Sequence, residues 1–337
     1  MTEFTKQQPG EVANVKELDD MRKKSVSRRG FLGGVGAVGA ASALAGCSGS
    51  SYTNISPPPP TAKGLVDADY LNFALNLEYL EAEFYLRAAT GSGLAAADAG
   101  SGAAAVTGGS KVPNLTTAQQ MIVNEIAFDE QTHVQFLRKA LTAAGTVPVD
   151  RPAIDFASSF TALASAAGIT GVTFNPFADF DSFLVGAFVF EDVGVTAYHG
   201  AAGAISTAGI AAGLLTAAGG IMAVEAYHAA YVRTALTGRA IAAATASPAT
   251  AYPYLGFANQ VSLLRAKLGG GNETQLLLPT STSTPSSIVA ADNTAVAYAR
   301  TPDQVLHIVY GTGGGAGVHA GVFFPTGLNG PISITQS

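Results

Sequence analysis

Apolar residues recur at helical spacing in four long stretches of this chain, separated by segments rich in Gly, Ser, Thr and Pro. Leu71, Ala74, Leu75, Glu78, Ala82 and Tyr85 fall three or four residues apart and predict a first helix over residues 71–89. Thr116 or Thr117 can cap a second helix that runs to about residue 144 and stops at Gly145, ahead of Pro148. A third helix is expected from Asp179 or Asp181 to about residue 206, with Leu184, Phe188, Glu191, Val195, Tyr198 and Ala202 along its stripe. Gly209 is the expected break before a fourth helix, which carries Leu215, Met222, Glu225, His228 and Val232 on one face and ends near residue 246, before Pro248. A short fifth helix over 257–268 stops at Gly269, Gly270 and Gly271.

Between these helices the chain is irregular. Residues 90–114 read as a Gly/Ala/Ser-rich loop, and 151–178 as an irregular crossing with a short helix at 156–167. Residues 280–287 are Ser/Thr/Pro-rich and read as a linker. Beyond them lie short apolar runs of strand character at 288–291, 295–298 and 317–324, and a helix at 302–309 with Pro302 in its first turn. So much Gly in so few residues does not make an independent core, and the extension 271–337 is expected to pack on the bundle or on another subunit. The pattern therefore predicts an all-α core, a four-helix bundle with a short fifth helix and an irregular C-terminal extension containing short strands.

All four helical segments carry a carboxylate on the face where apolar residues are expected. Glu78 and Glu191 each interrupt a stripe and are each followed seven residues later by a tyrosine, Tyr85 and Tyr198. The helix after each carries Glu-x-x-His, as Glu130/His133 and as Glu225/His228. Residues three apart on a helix share a face. The chain thus reads twice as a Glu-x6-Tyr helix followed by a Glu-x2-His helix, an internal two-fold pattern suited to two equivalent metal ions in a bundle. An unpaired buried carboxylate costs several kcal/mol, so four with two histidines require either mutual ion pairing or a metal. Arg87 and Arg138 lie nearby in sequence but off the stripes. Glu81 and Glu125 are expected at the rim, and His199, His307 and His319 have no spaced partners and read as structural.

At these residues the sequence resembles the ferritin-like superfamily of dinuclear carboxylate proteins, and most closely its bacterial desiccation-related branch. The resemblance rests on Leu71-Asn72-Phe73-Ala74-Leu75-Asn76-Leu77-Glu78-Tyr79-Leu80-Glu81-Ala82-Glu83-Phe84-Tyr85 and on Asp129-Glu130-Gln131-Thr132-His133-Val134. It extends to Ala299-Arg300-Thr301-Pro302-Asp303-Gln304-Val305-Leu306 and Gly321-Val322-Phe323-Phe324-Pro325. The resemblance implies that Glu78 and Glu191 are terminal ligands, that Glu130 and Glu225 bridge two metals, and that His133 and His228 bind one metal each. It implies two iron or two manganese ions, with Tyr85 and Tyr198 beside them as hydrogen-bond donors or redox-active phenols. Asp129 or Asp192 would orient a ligand histidine through its other ring nitrogen. Dioxygen or hydrogen peroxide is the implied substrate of an oxidase or peroxide-removing reaction. A non-catalytic stress protein of the same fold is the alternative, and a neutral binding module a third.

The N-terminus changes the picture by adding an address. Ser27-Arg28-Arg29-Gly30-Phe31-Leu32 resembles a twin-arginine export signal, and Leu44-Ala45-Gly46-Cys47 resembles a lipobox whose Cys47 is lipidated. Residues 1–46 would be a signal peptide, 47–65 a Pro/Ser-rich spacer and 66–270 the bundle. The protein would then be exported as a periplasmic or cell-surface lipoprotein, held to a membrane by its N-terminal lipid, with self-association into a homo-oligomer allowed. The chain is only 12% charged, with a net charge of -6, and seven of its 18 Lys/Arg lie before Cys47. The remainder is acidic and lacks the basic surface that nucleic-acid binding requires. The single cysteine excludes an intrachain disulfide framework and a cysteine-based zinc cluster.

Overall fold

The computed structural model describes residues 64–171, 173–246, 252–276 and 288–337. The expected leader, Cys47, nearly all of the 47–65 spacer and the 280–287 linker lie outside the described residues. The first helix, α1, is Asp67–Thr90, and Gly91 at φ 89° closes it in the left-handed conformation. A single turn α2 (Ala96–Ala99) and a two-residue strand β1 (Val106–Thr107) lead to α3 (Thr117–Ala143). Thr116 caps α3 through its side chain, and Gln119 returns a bond to the Thr116 amide. The crossing that follows holds β2 (Ile154–Asp155) and α4 (Ser159–Ala166). β2 pairs in parallel with β1, Val106 opposite Ile154. Then come α5 (Phe180–Ala202), capped by Asp179, and α6 (Thr207–Ala211). Next are α7 (Leu214–Ala246), α8 (Pro253–Leu268) and α9 (Pro302–Tyr310).

α1 packs along α3 and α5 along α7, and contacts between α1 and α5 and between α3 and α7 close the four-helix bundle. The fold is the all-α bundle that the apolar periodicity predicts, with α8 as its fifth helix. The break before α7 differs from expectation. α5 ends at Gly203, Ser206 starts the separate turn α6, and the chain reverses at Gly213 (φ 84°). Gly209 lies inside α6 because the Ser206 hydroxyl accepts from its amide and fixes it there. Among the described residues of the extension, the only strand-like pairing is an antiparallel bridge between Ala291 and Ala297. No described helix is long and apolar enough to cross a membrane.

The four bundle helices are not equally covered. Of the 27 residues of α3 only eight are buried, the single apolar face of a surface helix. In α5, 19 of 23 are buried, and in α1, 17 of 24. These two helices are buried on nearly every side because they are covered twice, by the bundle on one side and by the crossing and the C-terminal extension on the other. Phe84 of α1 is the hub of that second layer. It stacks on Phe183 at 5.7 Å and meets Phe156, Phe160, Phe177 and Phe190 edge-on or tilted. Phe323 from the extension closes the cluster against Phe160 and Phe190, at 5.3 and 5.1 Å. The extension is tied by backbone as well. The Arg300 amide donates to the Thr196 carbonyl at 2.9 Å, and a Cβ on Gly200 would collide with the Arg300 carbonyl oxygen. The Asn76 side chain both accepts from the Asn329 amide and donates to its carbonyl.

Candidate metal centre

Helical periodicity brings Glu78, Glu130, His133, Glu191, Glu225 and His228 into the bundle interior, and packing converges them. All four carboxylates are at most 2% exposed, and both histidines are 7% exposed. His133 Nδ1 lies 3.2 Å from Glu78 Oε2, 3.3 Å from Glu130 Oε2 and 3.4 Å from Glu225 Oε1. His228 Nδ1 lies 3.0 Å from Glu130 Oε1 and 3.6 Å from Glu191 Oε2. Two groups of donor atoms result, each close enough to hold one metal ion. One comprises Glu78, Glu130, His133 and Glu225, the other Glu130, Glu191 and His228. Glu130 belongs to both.

The two tyrosines cross between the halves. Tyr85 donates to Glu191 Oε1, and Tyr198 donates to Glu78 Oε1. Each glutamate is thus positioned by the helix of the other repeat, which the sequence repeat alone does not indicate. Burial and the neighbouring carboxylate push both phenols well above their ordinary range, so they stay neutral donors.

The donor set fits a cation and not itself. Glu130 Oε1, Glu191 Oε2, both oxygens of Glu225 and His228 Nδ1 are buried with no hydrogen-bond partner. His228 Nδ1 and Glu130 Oε1 are only 3.0 Å apart and still do not align as donor and acceptor. Two ligand atoms bound at right angles about 2.1 Å from one ion stand about 3.0 Å apart, so separations near this value are those of atoms sharing an ion. Without a cation the charges are severely perturbed. Burial, augmented by the charges of Glu225 and Glu130, raises Glu78 to about 8 against the opposing pull of His133. Glu191 and Glu225 are raised for the same reason, burial among carboxylates. Burial also opposes the charged form of Glu130, yet the hydrogen bond from His133 and the close positive charges of His133 and His228 hold it at about 2. Burial opposes the imidazolium of His228, but Glu191 and Glu130 raise it to about 10; His133 is raised likewise. Carboxylate and imidazole donors together suit iron or manganese.

Sequence similarity agrees with this geometry. Residues 66–238 match the ferritin-like domain family. The chain belongs to that family. It is 31% identical over 283 residues to a ferritin-like catalase, Nec2, of Nesocodon mauritianus, covering 79% of this chain and 85% of the relative. It is 30% identical over 248 residues to the desiccation-related protein PCC13-62 of Craterostigma plantagineum, covering 71% and 76%.

The ferritin-like site departs from expectation in two places. Asp129 does face a ligand histidine, 3.1 Å from His228 Nε2, but Asp192 does not. Asp192 turns away to Arg233 and Arg265, at 2.8 and 2.9 Å. Its neighbour Glu191 points into the bundle, and adjacent helical positions cannot share a face. Glu81, expected at the rim, is only 5% exposed. Three residues after Glu78 it shares that inward face, and the C-terminal layer covers it through Val309 and Phe323. Glu83 leaves the site altogether and pairs with Arg87 and Arg151. Glu125 is exposed, as its spacing suggests, and His307 is held by Thr312 and the Ser337 carbonyl.

Proposed function

We propose that the protein is a dinuclear iron or manganese enzyme of stress protection that removes hydrogen peroxide. The observation that carries this is the convergence of four buried carboxylates and two histidines whose facing atoms lack hydrogen-bond partners. The relative described as a catalase supports the choice of peroxide. A pair of such ions supplies two-electron exchange: one peroxide takes two electrons and two protons to become two waters, and a second gives them up to become dioxygen.

The chain's own residues hold and tune this pair. Glu78 and Glu191 would be terminal ligands, Glu130, which belongs to both donor groups, and Glu225 would be shared between the two ions, and His133 and His228 would give one nitrogen each. Tyr198 and Tyr85 keep their protons and orient the two terminal carboxylates. Asp129 fixes the ring of His228 through Nε2 and so directs Nδ1 inward. The aromatic layer around Phe84 excludes bulk water.

The address belongs to the same reading. The protein is exported through its twin-arginine leader, lipidated at Cys47 and held at the cell surface or in the periplasm, with 66–270 as the working domain. A folded-protein route would let the metal be loaded before export. Mass analysis of the mature N-terminus, with and without Cys47→Ala, tests this.

Metal analysis coupled to a peroxide assay tests the core of the proposal. Two iron or manganese per chain and dioxygen release from peroxide are expected, with both lost in Glu130→Ala/Glu225→Ala. A natively produced chain free of metal, and unchanged in fold by that double substitution, would refute it. It would favour the second reading, a non-catalytic protector, which the similarity to a desiccation-related protein motivates.

A further inference from the structure

Behind the carboxylate cluster lies a cavity of about 20 Å³, between α1, α5 and the C-terminal layer. Its walls are apolar, with Leu80, Val193, Val309 and Phe323 among them. Glu81 is the sole polar side chain that lines it. Among the described residues Glu81 makes no hydrogen bond and no ion pair, although it is 5% exposed. Nor is it among the carboxylates that converge on the two cation positions. A largely buried acid group with no protein partner, facing a cavity, leaves hydrogen-bonding capacity that a small polar guest can take up.

Gly194 explains how this cavity relates to the site. It stands three residues after Glu191, as Glu81 stands three after Glu78, so the same place in the two halves holds a carboxylate in one and no side chain in the other. A Cβ at 194 would collide with Glu225 Oε2 and would touch Glu81 Oε1 at 3.5 Å. The bare face of Gly194 is therefore shared by the cavity, by Glu81 and by a carboxylate oxygen of the cluster that has no other partner.

We propose that this cavity is the docking pocket for the oxidant, that Glu81 is the residue that binds it by hydrogen bonding, and that Gly194 is the opening through which it meets the centre. This rests on the dinuclear reading above. The chemistry defines the guest. A cavity needs about 10–15 Å³ to hold a water, so this one admits a molecule of one or two oxygen atoms and excludes a branched alkyl group. Apolar walls and adjacent carboxylates reject anions. Hydrogen peroxide, small, neutral and able both to donate and to accept, meets all three conditions. The C-terminal layer, through Val309 and Phe323, becomes the wall that sets the size limit.

The experiment uses the metal-loaded full chain and two substitutions on the far wall, away from every proposed ligand. Val309→Leu adds a methylene and fills the cavity; Val309→Ala enlarges it. Both should keep two metals per chain. Single-turnover oxidation by hydrogen peroxide should fall at least tenfold in Val309→Leu. Reaction with tert-butyl hydroperoxide, negligible in the native chain, should become measurable in Val309→Ala. Glu81→Gln should retain most of the peroxide rate and Glu81→Leu should lose at least tenfold, again at full metal content. Crystals under xenon pressure give a readout independent of activity: density is expected in the cavity of Val309→Ala and none in Val309→Leu. Full metal content with rates indifferent to residues 81 and 309 overturns the docking pocket and leaves the dinuclear reading intact. A native chain that takes up no metal sinks both.

Discussion

Two buried charge clusters lie close together in this protein, and they are built on opposite principles. In the first, Asp192 and Glu273 face Arg233, Arg265 and Arg300, three of the most deeply buried side chains in the molecule. Every carboxylate oxygen there is paired. Asp192 receives Arg233 through both oxygens and Arg265 through one; Glu273 receives Arg265 at 2.8 Å and Arg300 at 2.7 Å. Arg265 and Arg233 also lie over the Phe188 ring, 4.5 and 5.3 Å from its centre. Their charges hold Asp192 below its ordinary range despite burial. In the second cluster the carboxylates outnumber the cations, and four of their oxygens have no hydrogen-bond partner. In the first network every carboxylate oxygen finds its partner within the chain, although Arg233 Nη1 and Arg265 Nε do not, and it links α5, α7, α8 and the extension. The second is complete only with something added. Burial alone does not separate a structural charge network from a ligand site; whether the partners come from the chain does.

Removing one carboxylate from each cluster should have opposite effects on stability. Asp192→Asn leaves Arg233 buried without a counter-charge and should cost about 3–5 kcal/mol in urea unfolding, with or without metal. Glu225→Gln should do the opposite in the metal-free chain. It removes one of several crowded carboxylates, so the unfolding midpoint should rise while metal uptake falls. If both substitutions destabilise the metal-free chain equally, the distinction is wrong.

Metal itself should act on the second cluster only. With free metal at one hundred times its Kd, the native chain should gain about 2.7 kcal/mol. A chelator should abolish this gain in the native protein and change nothing in Glu130→Ala/Glu225→Ala.

The pH dependence sharpens the contrast further. In the metal-free chain His228 is raised to about 10 and Glu78 to about 8. Groups raised in the folded state favour folding fully below their unfolded values and lose that contribution as pH rises through the folded ones. The metal-free protein should therefore lose stability from about pH 5 to pH 10. Ligation requires both groups without their protons, so metal affinity should rise over the alkaline part of that window, by about tenfold per pH unit for each proton released. Calorimetry in buffers of different ionisation enthalpy counts those protons. An affinity indifferent to pH between 7 and 9 would contradict the assignment of these residues as ligands.

The smallest effect concerns the crossed tyrosines. Tyr85→Phe removes one neutral donor from Glu191 and should cost about 1 kcal/mol of metal affinity, with the fold unchanged. A loss as large as that of a ligand would instead make the phenol part of the reaction.

Much of this architecture is legible in the chain because it depends on local spacing. The Glu-x6-Tyr and Glu-x-x-His patterns place six ligand candidates on inward faces wherever a helix forms, and Thr116, Asp179 and Pro302 mark where helices begin. Helical periodicity is a property of neighbours in sequence, so the bundle and its carboxylate stripe were determined at that level. What depended on segments far apart was not. Glu81 shares the inward face of Glu78 by its spacing, but no pattern within α1 records the cover that residues beyond 300 give it. Asp192 serves the arginines because Arg233 and Arg265 arrive from α7 and α8, on the face that Glu191 leaves free. The exchange of tyrosines between halves, and the cavity at Gly194, are likewise set by how helices meet. A single sequence specifies which side chains share a face; only the packed structure decides which charges find a partner and which are left to find one in a ligand.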